Sequence, residues 1–189
     1  MARRKKEEPM MIVPGRQVMR RRWQLVLGAA ALAFFAGVPA LRGAGHDTPG
    51  ASHGTEVMLL NCMDYRLVDQ TAQYMAKRGF KGKYDDIVLA GAALGAVTEK
   101  HPAWNETFWD ELGVALDLHH IHKVMVLDHR DCGAYKVILG EDFAKDPANE
   151  TAVHTAQLKR LGEAIHAKYP ALEVELLLMA LDGKVETIQ

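Results

Sequence analysis

The sequence predicts an α/β domain of three layers, with a mainly parallel sheet of four to five strands between helices. Three observations lead there. Short apolar runs alternate with longer stretches of helical period, which is the pattern of a parallel sheet covered on both faces. The residues of unusual chemistry all follow the ends of those runs. The composition, 49% hydrophobic and 25% charged in 189 residues, is that of one globular domain with an appendage, which excludes disordered and collagen-like classes.

Residues 57–61 (VMLLN) have the length of a buried strand. After Asp64 the period changes. Leu67, Thr71, Tyr74 and Met75 share one helical face, and Gly79 suits a C-terminal cap. Residues 87–90 form the second strand and open into the small-residue stretch 91–95 (GAALG). Residues 104–118 read as a helix with Phe108, Leu112, Ala115 and Leu116 inward; residues 123–127 (KVMVL) are the third strand. A short helix over 132–139 ends at Gly140, and residues 141–147 form a loop. A long amphipathic helix over 149–168 is closed by Pro170. Residues 174–181 are the last strong strand, with 184–188 as an edge. No internal repeat is visible.

The amino terminus is different in kind. Residues 1–44 hold nine of the 23 Lys/Arg and two of the 24 Asp/Glu, which leaves residues 45–189 with 14 against 22, a net charge of −8. Such an acidic body is a poor ligand for nucleic acid, which needs clustered cations. Arg20, Arg21 and Arg22 precede a 14-residue apolar run over 25–38, then Pro39 and small residues. That order reads as a signal peptide, and the consecutive arginines resemble a twin-arginine export signal, with Trp23 where Phe is commoner. The alternative is an uncleaved membrane tether through residues 23–41. Both place the body outside the cytoplasm, in the periplasm. Residues 45–56 read as a polar linker and 57–189 as the functional domain.

Two clusters carry the chemistry: Cys62-Met-Asp64-Tyr-Arg66 after the first strand, and His129-Arg-Asp-Cys132 after the third. Thiolate and imidazole are zinc ligands, and a catalytic zinc keeps three protein ligands with one open position. Cys62, His129 and Cys132 supply that set. The rival reading is a single disulfide, the usual state of two cysteines in an exported chain. Asp64 and Arg66, two residues apart, suit an ion pair that orients the carboxylate. The Gly-x-Gly-x-x-Gly spacing of a dinucleotide site is absent. His119, His120 and His122 read as solvated residues at a helix end. Trp104, Phe108 and Trp109 read as core or dimer contacts. Gly91, Leu94, Gly95 and Tyr135 are the candidate pocket residues.

Cys-x-Asp-x-Arg followed by His-x-x-Cys-Gly resembles the β-class carbonic anhydrases over residues 57–188. The resemblance implies that family's fold and a homodimer or higher homo-oligomer. It implies Zn²⁺ on Cys62, His129 and Cys132, and reversible hydration of CO₂ to bicarbonate by zinc-bound hydroxide. Asp64, paired with Arg66, would orient the hydroxide. Two thiolate ligands should make the water less acidic, so activity should rise on the alkaline side. The sequence also departs from the family. Its usual Arg-Asn-Ala-Gly-Asn stretch is replaced around Gly91–Gly95 by small apolar residues, and the helical arm before the first strand has no counterpart. These departures keep two alternatives in play, a COS or CS₂ hydrolase on the same zinc and a catalytically silent zinc-binding domain.

Overall fold

A computed structural model describes residues 54–189. Residues 1–44, read from the sequence as an export signal or tether, and the linker up to residue 53 lie outside the described residues. Five strands form one sheet in the order β2-β1-β3-β4-β5: β1 (Val57–Asn61), β2 (Tyr84–Val88), β3 (Lys123–His129), β4 (Glu173–Met179) and β5 (Val185–Thr187). The first four are parallel, and β5 returns antiparallel along the outer edge of β4. Five helices accompany them: α1 (Val68–Lys77), α2 (Ala93–Val97), α3 (Pro102–Val114), α4 (Gly133–Leu139) and α5 (Pro147–Lys168). This is the α/β class expected from the sequence.

The strand period of two divides the core. Val57 and Leu59 of β1, with Met125 and Leu127 of β3 and Leu177 and Met179 of β4, face Leu67 and Met75 on one side. Met58, Leu60, Val124 and Val126 face the other side, where Phe108 and Leu112 of α3 and Leu158, Leu161 and Ile165 of α5 cover them. Each such side chain, fully buried, is worth about 1.5–3 kcal/mol. All five β1 residues are buried, hence a continuous apolar run rather than an alternating one.

Several boundaries differ from the expectation. The second strand starts at Tyr84, because Asp85 and Asp86 sit on a sheet edge where polar residues are tolerated; only Ile87 is buried there. The stretch after it holds a five-residue helix, α2, rather than an open loop. α3 begins at Pro102, whose missing N–H costs nothing in a first turn. It ends in a wider turn over Ala115–His119. α5 begins at Pro147, capped by Asp146, whose carboxylate accepts from the N–H groups of Ala148 and Asn149. Among the described residues no helix is long and apolar enough to cross a membrane.

The register sets up the site. Asn61, the last residue of β1, pairs with Leu127, so β3 runs two residues further, through Asp128 and His129. From β1 the chain moves outward to β2; from β3 it moves to β4 on the opposite side. The crevice between the carboxyl ends of β1 and β3 is therefore the point where the winding reverses, the usual place for a ligand in an open α/β sheet.

Candidate metal centre

Cys62 leaves β1, His129 ends β3, and Cys132 stands at the N-cap of α4 three residues later. Their ligand atoms lie within 4.8 Å of one another, in a group that could hold a metal ion. Both cysteines are free, with Sγ atoms 3.9 Å apart, far beyond the ~2.05 Å of a disulfide. His129 Nδ1 lies 2.8 Å from the carbonyl oxygen of Arg130, to which it donates. That fixes the tautomer and leaves a lone pair on Nε2. Nε2 is buried and has no hydrogen-bond partner. Buried polar atoms are rarely left so; a bound cation would satisfy this one, and the residues present fit it.

The electrostatics of the metal-free cluster point the same way. The hydrogen bond shared with Cys132 lowers the pKa of Cys62; burial opposes it, and His129 and the Gly91 N–H, 3.3 Å from Sγ, add to the lowering. The shared bond and burial raise Cys132 in turn. For His129 burial is the largest influence and works downward, but the Cys62 side chain, the Arg130 carbonyl and Asp64 together outweigh it and the net shift is upward.

Asp64 stands at the mouth, its Oδ2 3.8 Å from His129 Nε2. Arg66 grips it with Nε at 3.0 Å from Oδ1 and an NH2 group at 2.7 Å from Oδ2. The same guanidinium reaches Asp131, whose carboxylate is 2.7 Å from NH1 and whose carbonyl is 2.9 Å from NH2. The bond from Arg66 is the main reason that Asp64 is held down at about 2. Beside these groups opens a cavity of about 300 Å³, lined mainly by apolar side chains: Met63, Ala90, Trp104, Ala134, Val137 and Ile138, with Cys62, Asp64, Cys132 and His101 at its polar end.

The described domain coincides with a known family. Residues 52–189 match the model of a family described as "Putative carbonic anhydrase". The chain belongs to this family. It is 38% identical to an uncharacterized protein of Rickettsia conorii over 131 residues, 69% of this chain and 70% of that one. A Rickettsia bellii protein, also uncharacterized, is 39% identical over 69% and 80% of the two chains. Among solved structures, a carbonic anhydrase from Glaciozyma antarctica superposes with a TM-score of 0.49 at 19% identity, covering 72% of this chain and 83% of its own. A β-carbonic anhydrase of Trichomonas vaginalis gives 0.47 at 19%, covering 72% and 82%.

Within this member of the family, the structure brings Cys62, Asp64, Arg66, His129 and Cys132 together. Gly91, Leu94, Gly95 and Tyr135 lie behind the cavity wall. Gly91 donates to Cys62; Leu94 and Tyr135 pack with Cys132, Ile138 and Phe143; Gly95 sits so close to the Ala90 carbonyl that a Cβ would approach it to 2.6 Å. His119 pairs with Asp85, and among the described residues no metal-ligand group forms around His119, His120 and His122. Two groups were not anticipated. His101 stacks on Trp104, ring centroids 4.0 Å apart, at the cavity. Asp128, which follows the strand read from the sequence, lies within β3 and is 1% exposed. A carboxylate closing an apolar run was the one available signal for it.

Proposed function

We propose that this protein is a zinc-dependent lyase that hydrates CO₂ reversibly to bicarbonate and a proton. The observation that carries the reading is His129 Nε2, buried, unpartnered and grouped with the two sulfurs. Two thiolates and an imidazole suit Zn²⁺ and leave a fourth position open. Zinc held there supplies a Lewis acid that makes water acidic enough to be a nucleophile near neutral pH.

The chain's own residues supply the rest. Asp64, kept ionised by Arg66, accepts a hydrogen bond at the mouth and orients what lies between it and His129. Arg66 fixes that carboxylate and is itself fixed by Asp131. Met63, Ala90, Trp104 and Val137 hold a small apolar gas beside the site and leave few polar groups to bind it nonproductively. The same lining favours a second reading, hydrolysis of COS or CS₂, which are linear like CO₂ but larger and more polarisable.

Export through residues 1–44, with the domain in the periplasm or tethered by 23–41, belongs to the same proposal. So does self-association, supported by Tyr65 and Val137, 85% and 81% exposed beside the site. Stopped-flow CO₂ hydration by zinc-quantified protein, with Cys62→Ser as control, is the test. Hydration that rises with pH and disappears in the variant is expected. One bound zinc without CO₂ turnover redirects the assay to COS and CS₂, and silence on all three leaves a zinc-binding domain without catalysis.

A further inference from the structure

Asp128 is the most completely buried carboxyl group near the centre, and its partners account for both of its oxygens. Oδ1 accepts from the Ala93 N–H at 2.9 Å. Oδ2 accepts from the Tyr135 hydroxyl and from His154 Nδ1, 2.8 Å away. The Tyr135 and His154 rings pack with centroids 3.8 Å apart. Burial and the adjacent Asp128 raise the Tyr135 hydroxyl well above its ordinary range, so it remains a donor. The three donors come from α2, α4 and α5, and none of the three lines the apolar cavity.

What Asp128 secures is a strained turn. Ala93 opens α2 directly after Gly91, at φ +79°, and Ala92, at φ +37°. A left-handed alanine costs free energy and persists only where its surroundings over-determine it. The turn is tied on one side by Leu89 N–H to the Asn61 carbonyl and internally by Ala92 N–H to the Leu89 carbonyl. The close approach of Gly95 to the Ala90 carbonyl packs it from behind. The first turns of α2 add Leu94 N–H to the Gly91 carbonyl and Ala96 N–H to the Ala92 carbonyl, and Asp128 supplies the side-chain anchor, at the Ala93 N–H. The outcome of this conformation is that the Gly91 N–H points at Cys62 Sγ.

We propose that Asp128 is a positioning residue for the metal centre: by holding the Ala93 N–H, it keeps the 91–92 turn in the conformation that donates the Gly91 N–H to Cys62. Tyr135 and His154 satisfy the other oxygen, Oδ2, and take no part in the Ala93 bond. The proposal rests on the reading of Cys62 as a ligand. The Gly91 N–H is the group bonded to a ligand; such groups are worth about 10–100-fold in metal affinity, and Asp128 acts only through it.

The test uses the full chain, zinc-free and zinc-loaded, and follows amide hydrogen exchange at Gly91 and Ala93 together with zinc affinity by chelator competition. Asp128→Ala should speed exchange at both amides by roughly 10–100-fold, the equivalent of one lost buried hydrogen bond. It should weaken zinc binding by about 10–100-fold. Asp128→Asn, whose amide oxygen can still accept from Ala93, should restore most of both. His154→Leu removes a partner of the carboxyl group but not the Ala93 bond, and should leave Gly91 protected. Wild-type protection at Gly91 in Asp128→Ala overturns the proposal, as does an equal loss in His154→Leu, which would make the network general packing. If Asp128→Ala does not fold, Asp128→Asn and His154→Leu carry the same comparison, and fast Gly91 exchange in His154→Leu overturns it. Wild-type protein that binds no zinc would instead sink the ligand reading, while exchange in the zinc-free protein still decides the role of the turn.

Discussion

Two carboxyl groups flank the cysteine–histidine cluster, and their surroundings could hardly differ more. Asp64 sits at the mouth, gripped by one guanidinium that is itself a third exposed and shared with Asp131. Asp128 sits at the back, dry, with three donors from three helices. An ion pair open to water contributes little to stability, because water competes for both partners. A buried carboxyl group whose donors have no alternative partner contributes much, because losing it orphans each of them. On the proposed reading the mouth serves chemistry and the back geometry, and variants at the two places should fail differently.

The largest effect is expected at the cluster between them. Cys62→Ser and His129→Ala should each take bound zinc from one per chain to near zero, by metal analysis after gel filtration, and bring hydration to the uncatalysed rate. At the back, Asp128→Ala leaves three buried donors unpaired at about 1–3 kcal/mol each, so urea unfolding should show a loss of at least about 3 kcal/mol. At the mouth, Arg66→Gln should move stability by no more than about 1 kcal/mol, yet cut turnover by about 10–100-fold with zinc content unchanged. If Arg66→Gln proves as destabilising as Asp128→Ala, the contrast is wrong.

A pH measurement sharpens the same contrast. The folded-state pKa of Asp64 is depressed to about 2, chiefly by its bond to Arg66. Its contribution to stability is therefore complete above the unfolded value of about 3.9 and disappears as pH falls through about 2. In Arg66→Gln the carboxyl titration, followed by NMR in the zinc-free protein, should move up toward 3.9. The smallest effect belongs to the exposed rim. Val137→Ser should change monomer stability by less than about 0.5 kcal/mol, and a shift toward smaller species in sedimentation would tie that rim to self-association.

The sequence made the cluster easier to read than the wall around it, for physical reasons. Cysteine and histidine have few roles at the end of a buried strand, so Cys62, His129 and Cys132 declare themselves by type and place. The order of elements was legible too, because VMLLN and KVMVL are too short and too apolar for anything but central strands. β2 was harder. Its Tyr84, Asp85 and Asp86 are edge residues without an apolar pattern, so the strand was placed three residues late. The small-residue stretch after it carries no amphipathic signal, and the N–H of the first residue of α2 is accepted by Asp128, which is distant in sequence. The cavity lining draws Met63, His101 and Val137 from three separate segments, and no local pattern joins them.

The two rims of the sheet have one more consequence. β2 exposes a strand that carries Asp85 and Asp86, and β5 ends the other side after only three residues, with Glu186 at its centre. Short, acidic borders are how a natural sheet avoids recruiting another chain's backbone. At these borders Asp85 is already paired with His119 and Glu186 with Arg130, so a second strand joining either edge would compete with existing ion pairs. Among the described residues the sheet therefore offers a poor template for extension, and contact between copies is expected through helices and loops instead.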